Sequence, residues 1–140
     1  MKFNKLIPEL SVSDFEKSLA FYKTTLGFKV EYTREEPKFA FISLNGSQIM
    51  IEQVKSESDW NVGELNYPFG RGVNFQIEVK NIEPLLSALK AKNYPISIEP
   101  KENWYRQNNR LLGNKEFLVK DPDGYLLRFF ENLGAKNIQK

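Results

Sequence analysis

The chain has 140 residues and contains neither cysteine nor histidine. Without cysteine there is no disulfide, no zinc–thiolate or iron–sulfur centre and no thiol nucleophile. Without histidine there is no Ser-His-Asp triad, no imidazole metal ligand and no imidazole acid–base catalysis. Any metal would need an all-oxygen site suited to magnesium, calcium or manganese. Excess charge of one sign is also lacking: 20 basic against 18 acidic side chains leave +2. That balance points neither to nucleic acid nor to a membrane surface as a partner. No apolar run approaches the ~18 residues of a transmembrane helix. The opening Met1 to Glu9 has no long apolar stretch and does not read as a signal peptide. The expected location is therefore the cytoplasm, and Asn45-Gly46-Ser47 reads as a turn, not a glycosylation site.

Aromatic residues are plentiful, at 14% with 11 Phe, 6 Tyr and 2 Trp. The length suits one domain spanning 1–140, since domains most often run ~100–150 residues. Leu6 to Val12 reads as a strand. Ser13, with Glu16 three residues on, reads as the capping box of a helix carrying Phe15, Leu19, Phe21-Tyr22 and Leu26 at helical spacing and closed by Gly27. Phe28 to Thr33, Phe39 to Leu44 and Gln48 to Val54 read as strands, the last two joined by an Asn45-Gly46 turn. Ser56 to Arg71 reads as a loop; Gly70-Arg71-Gly72 at its end lacks the spacing of a phosphate loop. Then follow a strand at Gly72 to Val79, a helix at Ile82 to Asn93, and a short strand at Ile96 to Ile98. A second long loop is expected at Glu99 to Arg110, carrying Trp104-Tyr105. Strands at Leu112 to Val119 and Tyr125 to Glu131 flank an Asp121-Pro122-Asp123-Gly124 turn, and a frayed tail is expected from Gly134.

The order is βαβββ followed by βαβββ, in modules of about 5–55 and 71–132. The halves match at an offset of about 67 positions: Val12 with Val79, Asp14 with Asn81, Glu16 with Glu83, Leu19 with Leu86. The fold class expected is α+β, with curved mixed sheets around a cavity.

Val12-Ser13-Asp14-Phe15-Glu16-Lys17-Ser18-Leu19-Ala20-Phe21-Tyr22, followed by Leu26-Gly27-Phe28, resembles the first module of the glyoxalase/bleomycin-resistance/dioxygenase (vicinal oxygen chelate) superfamily. Lys120-Asp121-Pro122-Asp123-Gly124-Tyr125-Leu126-Leu127-Arg128-Phe129 resembles its closing hairpin. These motifs specify architecture and not chemistry. The resemblance implies that enzymes of the family chelate a divalent metal at positions that fall here on Ile7, Met50, Asn74 and Arg128. Two of these are apolar, one is an amide and one is a fixed cation. The resemblance therefore implies no metal and no other cofactor, and favours the non-enzymatic bleomycin-resistance branch. Pro8-Glu9-Leu10 and Gly113-Asn114-Lys115-Glu116-Phe117-Leu118-Val119-Lys120-Asp121-Pro122 resemble segments of that branch. Its members are implied to be homodimers that sequester a flat, cationic glycopeptide antibiotic in crevices between subunits.

A binder of planar compounds needs aromatic faces and a few orienting polar groups. Tyr32, Phe39 and Phe41 lie on first-module strands, where either a site or a core role is open. Trp60 and Trp104-Tyr105 fall in the expected loops, where a large aromatic either pins the loop or lines a crevice. Glu52, Glu9 and Gln76 are read as facing either the crevice or solvent. Asn74 and Arg128 are expected to point into the former metal cavity. Glu35-Glu36 is an acidic turn near the expected crevice. The branch commonly has Trp beside the glycine of its Gly-x-x-Glu-Phe segment; here Leu111-Leu112 precede Gly113, so that face is missing unless Trp104 supplies it. The alternatives are a metal-dependent glyoxalase- or dioxygenase-like enzyme, and a binder of an endogenous metabolite.

Overall fold

A computed structural model describes residues 1–55 and 60–138; part of the expected loop at Ser56 to Arg71 and the end of the tail lie outside the described residues. The chain divides into two compact units, Met1–Arg71 with Asp121–Tyr125, and Gly72–Lys120 with Leu126–Lys140. Each contains a four-stranded mixed sheet, so the α+β class and the twofold βαβββ order both hold.

In the first unit β1 (Glu9–Val12) leads to α1 (Phe15–Ala20), which continues as a π-helical turn, Phe21–Thr25. Then come β2 (Lys29–Glu35), β3 (Lys38–Leu44) and β4 (Ser47–Gln53), in sheet order β1-β4-β3-β2 with β1 parallel to β4. Asp14, not Ser13, caps the helix: its carboxylate accepts from the Lys17 amide at 3.2 Å. Asp caps as well as Ser does, and Ser13 is engaged elsewhere, its amide and hydroxyl both donating to the Asp123 carboxylate. Gly27 leaves the helix at φ +81°, the left-handed exit that its lack of a Cβ permits.

Alternation along the strands sorts the side chains. Leu10, Val12, Ala40, Ile42, Ile49 and Ile51 are buried on the helix-bearing face with Phe15 and Tyr22. Their neighbours Glu9, Phe39, Phe41, Met50 and Glu52 take the opposite face. The turn Asp121–Tyr125 is tied into this unit. Asp121 Oδ1 accepts from the amides of Asp123 and Tyr125, each at 2.9 Å, while Oδ2 accepts from the Tyr22 hydroxyl at 2.7 Å. The Tyr125 hydroxyl donates to the Ser11 carbonyl at 2.9 Å. Burial pushes the Asp121 carboxyl up to about 6, against the lowering effect of these three donors.

In the second unit β5 (Asn74–Glu78) is followed by α2 (Glu83–Ala91), β6 (Ile98–Gln107), β7 (Arg110–Lys120) and β8 (Leu126–Asn137), in sheet order β5-β8-β7-β6. β5 is parallel to β8. Leu85, Leu86 and Leu89 of α2 are buried with Ile77, Phe117, Val119, Leu127 and Phe129 of the sheet. The helix starts differ in detail: Asn81, the repeat partner of Asp14, accepts at Oδ1 from the Glu83 amide two residues on at 3.0 Å, whereas Asp14 bonds the amide three residues on.

Two expectations fail here. The region Glu99 to Arg110 is not a loop but most of β6, paired with β7 from Ile98↔Leu118 to Gln107↔Arg110. The tail is not frayed at Gly134, because β8 pairs with β7 as far as Asn137↔Arg110. Both segments are polar and lack apolar alternation, so what holds them is backbone pairing to β7, a tertiary effect that local pattern does not carry.

Candidate functional site

The second unit carries a cavity of about 400 Å³ on the sheet face opposite α2. Residues two apart on each strand line it: Gln76 and Glu78 from β5, Arg128, Phe130 and Asn132 from β8, Leu112 and Asn114 from β7, and Tyr105 from β6. Glu116 continues the β7 row and is buried, its side chain only 3% exposed. Arg128 Nε donates to Glu116 Oε1. Oε2 accepts from the Tyr105 hydroxyl at 2.8 Å and from Asn103 Nδ2 at 3.3 Å. The guanidinium carbon lies 5.5 Å from the Tyr105 ring centre.

Burial works against the Glu116 charge, but the hydrogen bonds from Tyr105 and Arg128 outweigh it and hold the carboxyl below its ordinary range. The Glu116 hydrogen bond in turn raises Arg128 further, and burial followed by the bond to Glu116 raises the Tyr105 phenol. The result is an ordered ion pair whose carboxylate accepts three hydrogen bonds and whose cation lines the cavity.

The first unit presents an aromatic cluster on its own helix-free face. Tyr32 stacks on Phe41 at 5.3 Å between centroids and 16° between planes, and lies 5.8 Å from Phe39. The Phe3 ring meets Phe41 edge-on at 5.4 Å. Arg34 holds its guanidinium carbon 4.4 Å above Phe39. Glu52 is paired in register with Phe39, and Glu9 with Met50. Burial pushes the Glu9 carboxyl up, Glu52 adds to that by repulsion, and Arg34 opposes it. Two carboxylates and one guanidinium thus share the surface beside the aromatic rings.

The sequence-derived candidates therefore separate by unit. Tyr32, Phe39, Phe41 and Glu52 gather on the first sheet, where Phe39 and Phe41, each 1% exposed, take the core role and not a ligand-facing one; Gln76, Tyr105 and Arg128 gather at the second cavity. Asn74 is exposed at the head of β5 opposite Leu126, and it is Gln76 that pairs with Arg128. Trp60 is 84% exposed and lines no described cavity. Trp104 is in a strand, on the face opposite Tyr105, with its ring against Gly113 and Lys136 Nζ 4.0 Å over the ring. Glu35 and Glu36 line a surface recess with Lys38 and Lys55. Sequence reasoning assigned no site role to Glu116, Asn103, Asn114, Phe130, Asn132 or Arg34. For four of them the signal was available, as the period-two rows Leu112-Asn114-Glu116 and Arg128-Phe130-Asn132.

A family model described as Glyoxalase/Bleomycin resistance protein/Dioxygenase superfamily matches residues 5–129. The chain belongs to this superfamily. Among its relatives, a bleomycin resistance protein of Geobacillus stearothermophilus is 28% identical, the match covering 91% of this chain and 96% of that one. A lactoylglutathione lyase of Haemophilus influenzae is 25% identical, covering 91% and 92%. Among solved structures, TioX from Micromonospora shares the fold at a TM-score of 0.69, with 16% identity over 94% of this chain and 100% of that one. Superfamily membership raises the question of a divalent metal. The residues present do not fit one: at the β8 position the chain holds Arg128, whose fixed positive charge is locked to Glu116. Among the described residues, no group of three or more His, Cys, Asp and Glu side chains converges as a metal site would. No helix of the described chain is long and apolar enough to cross a membrane.

Proposed function

We propose that the chain is a small-molecule binding protein of the bleomycin-resistance type, which sequesters a planar compound without converting it. The observation that carries this reading is the Arg128–Glu116 pair, standing at a position where a metal-dependent relative needs an anionic or neutral donor. The half-buried Tyr32 ring, backed by the fully buried Phe39 and Phe41, offers stacking surface, and Glu9 and Glu52 beside it suit a cationic group on the same ligand. Relatives named as bleomycin resistance proteins make that antibiotic the first ligand to test. The homodimer, the crevice between subunits and the cytoplasmic setting belong to the same proposal.

The test is calorimetric titration of the purified chain with metal-free bleomycin. The expected result is saturable binding at micromolar affinity or tighter, weakened about tenfold, ~1.4 kcal/mol, by Tyr32→Ala. Absence of heat at these concentrations rejects the antibiotic. Stoichiometric recovery of a divalent metal from unchelated protein, together with turnover, rejects the binding role.

A further inference from the structure

We infer that the cavity of the second unit is a subsite for a neutral planar carboxamide, with the Arg128 guanidinium as the donor that orients its carbonyl. This rests on the binding role proposed above and adds the chemical class that this cavity takes.

The inference follows from which polar atoms remain unused. Glu116 has little acceptor capacity to spare, since Arg128 bonds Oε1 while Tyr105 and Asn103 fill Oε2. Tyr105 has committed its proton to that carboxylate. Arg128 spends Nε on the pair and shares a further side-chain hydrogen bond with Tyr105, which leaves most of its five N–H donors open toward the cavity. A guanidinium whose position is fixed while its outer donors stay open is a preorganised acceptor-binding group. Asn132 is similar: its Oδ1 accepts from the Gly134 amide at 2.7 Å, which leaves its amide nitrogen as the open end. Gln76 and Asn114 line the cavity with whole carboxamides that have no partner among the described residues, so each presents a donor and an acceptor. Phe130 and Leu112 supply apolar wall.

Charge decides among the planar groups that fit. A cationic amidine would have to sit against the Arg128 guanidinium. A carboxylate would satisfy Arg128, but its charge is already balanced by Glu116, and Glu78 stands on the same wall. Gln76 and Asn114 would also have to turn their oxygens away from an anion, leaving half of each side-chain amide unused. A carboxamide meets both needs, taking hydrogen bonds at its carbonyl and donating from its nitrogen, without bringing a charge into the site. A cavity of about 400 Å³ holds an aromatic ring bearing that group.

Three probes of one shape and different charge test this: benzamide, benzoate and benzamidine, each titrated into the full chain and followed by nitrogen–proton correlation spectra. The reporters are the Arg128 Nε–H signal and the side-chain amides of Gln76 and Asn114. Benzamide is expected to shift all three and to bind at least tenfold more tightly than either charged probe. Asn114→Ala, which removes no internal hydrogen bond, is expected to weaken benzamide severalfold with the fold intact; Arg128→Met is expected to abolish the preference among the three. Equal or tighter binding of benzamidine or benzoate overturns the inference, as does an unmoved Arg128 signal with all three probes. The two readings fail separately. Bleomycin heat with no movement of Arg128 rejects the carboxamide subsite alone, and benzamide binding without bleomycin heat rejects the antibiotic alone.

Discussion

Arg128 and Glu116 are joined diagonally across β7 and β8. Arg128 is in register with Leu118, yet its Nε reaches the carboxylate two residues earlier on β7. The diagonal places the acid deeper than the base: the Glu116 side chain is 3% exposed and that of Arg128 24%. Residues two apart on neighbouring strands share a face, within reach of long side chains. The pair therefore grows out of sheet geometry and requires no loop to position it.

Replacing Glu116 with Gln removes the counter-charge and leaves the guanidinium partly buried without it. A loss of stability of about 1–3 kcal/mol is expected. Arg128→Met is expected to cost a similar amount by stranding the carboxylate, and the double replacement less than the sum of the two. Urea denaturation of the four proteins measures the coupling; strict additivity would reject the pair as an energetic unit.

Asp121 gives the protein an acid-side signature with an unusual sign. Its carboxyl ordinarily titrates near 3.8 and is pushed up to about 6 in the fold. Between these values the folded state holds more proton than the unfolded one, so stability falls as pH rises through the window. At ~1.4 kcal/mol per pKa unit the effect is about 3 kcal/mol. Glu116, held low, acts in the opposite sense, its contribution being lost as pH falls through its folded range. The diagnostic is the difference between wild type and Asp121→Asn, whose Oδ1 can still accept from the Asp123 and Tyr125 amides. Denaturant midpoints between pH 4 and pH 7 are expected to converge toward low pH; parallel profiles would refute the assignment.

Tyr22→Phe deletes the hydroxyl that donates to Asp121 and leaves the ring in place. A loss of about 1–2 kcal/mol at pH 7 is expected, shrinking below pH 5 as the carboxyl protonates. Thermal melts at the two pH values report it.

Gly113 has no room for a side chain while Trp104 stays where it is: an added Cβ would lie 2.5 Å from the outer indole carbons. Gly113→Ala is expected to cost about 1–3 kcal/mol or to eject the ring. Ejection would appear as a red shift of tryptophan emission. Trp104→Ala should make the glycine replacement nearly neutral, and a full penalty in that background would show that the contact is not the cause.

The helices, the repeat and the Asp121–Gly124 turn were legible because each has a local chemical signature: caps, a left-handed glycine, helical spacing of Leu and Phe. The Asn45-Gly46 hairpin was legible for the same reason, with both residues at positive φ. β6 was not, because Glu99 to Gln107 alternates nothing apolar and its Asn108-Asn109 turn resembles any polar loop. Ser13 was misread as the cap because its real partner, Asp123, lies 110 residues away. At the site, Arg128 was placed by the spacing of the closing hairpin, whereas Glu116 was seen only as part of a motif. A buried carboxylate and a surface one are the same letter until the strand that covers them is known.

The turn Asp121–Tyr125 has a consequence for any attempt to halve the protein. A polypeptide ending at Arg71 would contain every strand of the first sheet, yet it would lack the acceptor for the Tyr22 hydroxyl, the carboxylate that engages Ser13 and the phenol that bonds the Ser11 carbonyl. Division at the repeat boundary therefore yields an unfinished fragment rather than a free-standing module. A short synthetic peptide spanning that turn is the missing part, and restoring order by adding it in trans would make the chain a candidate for a split, reassembling reporter.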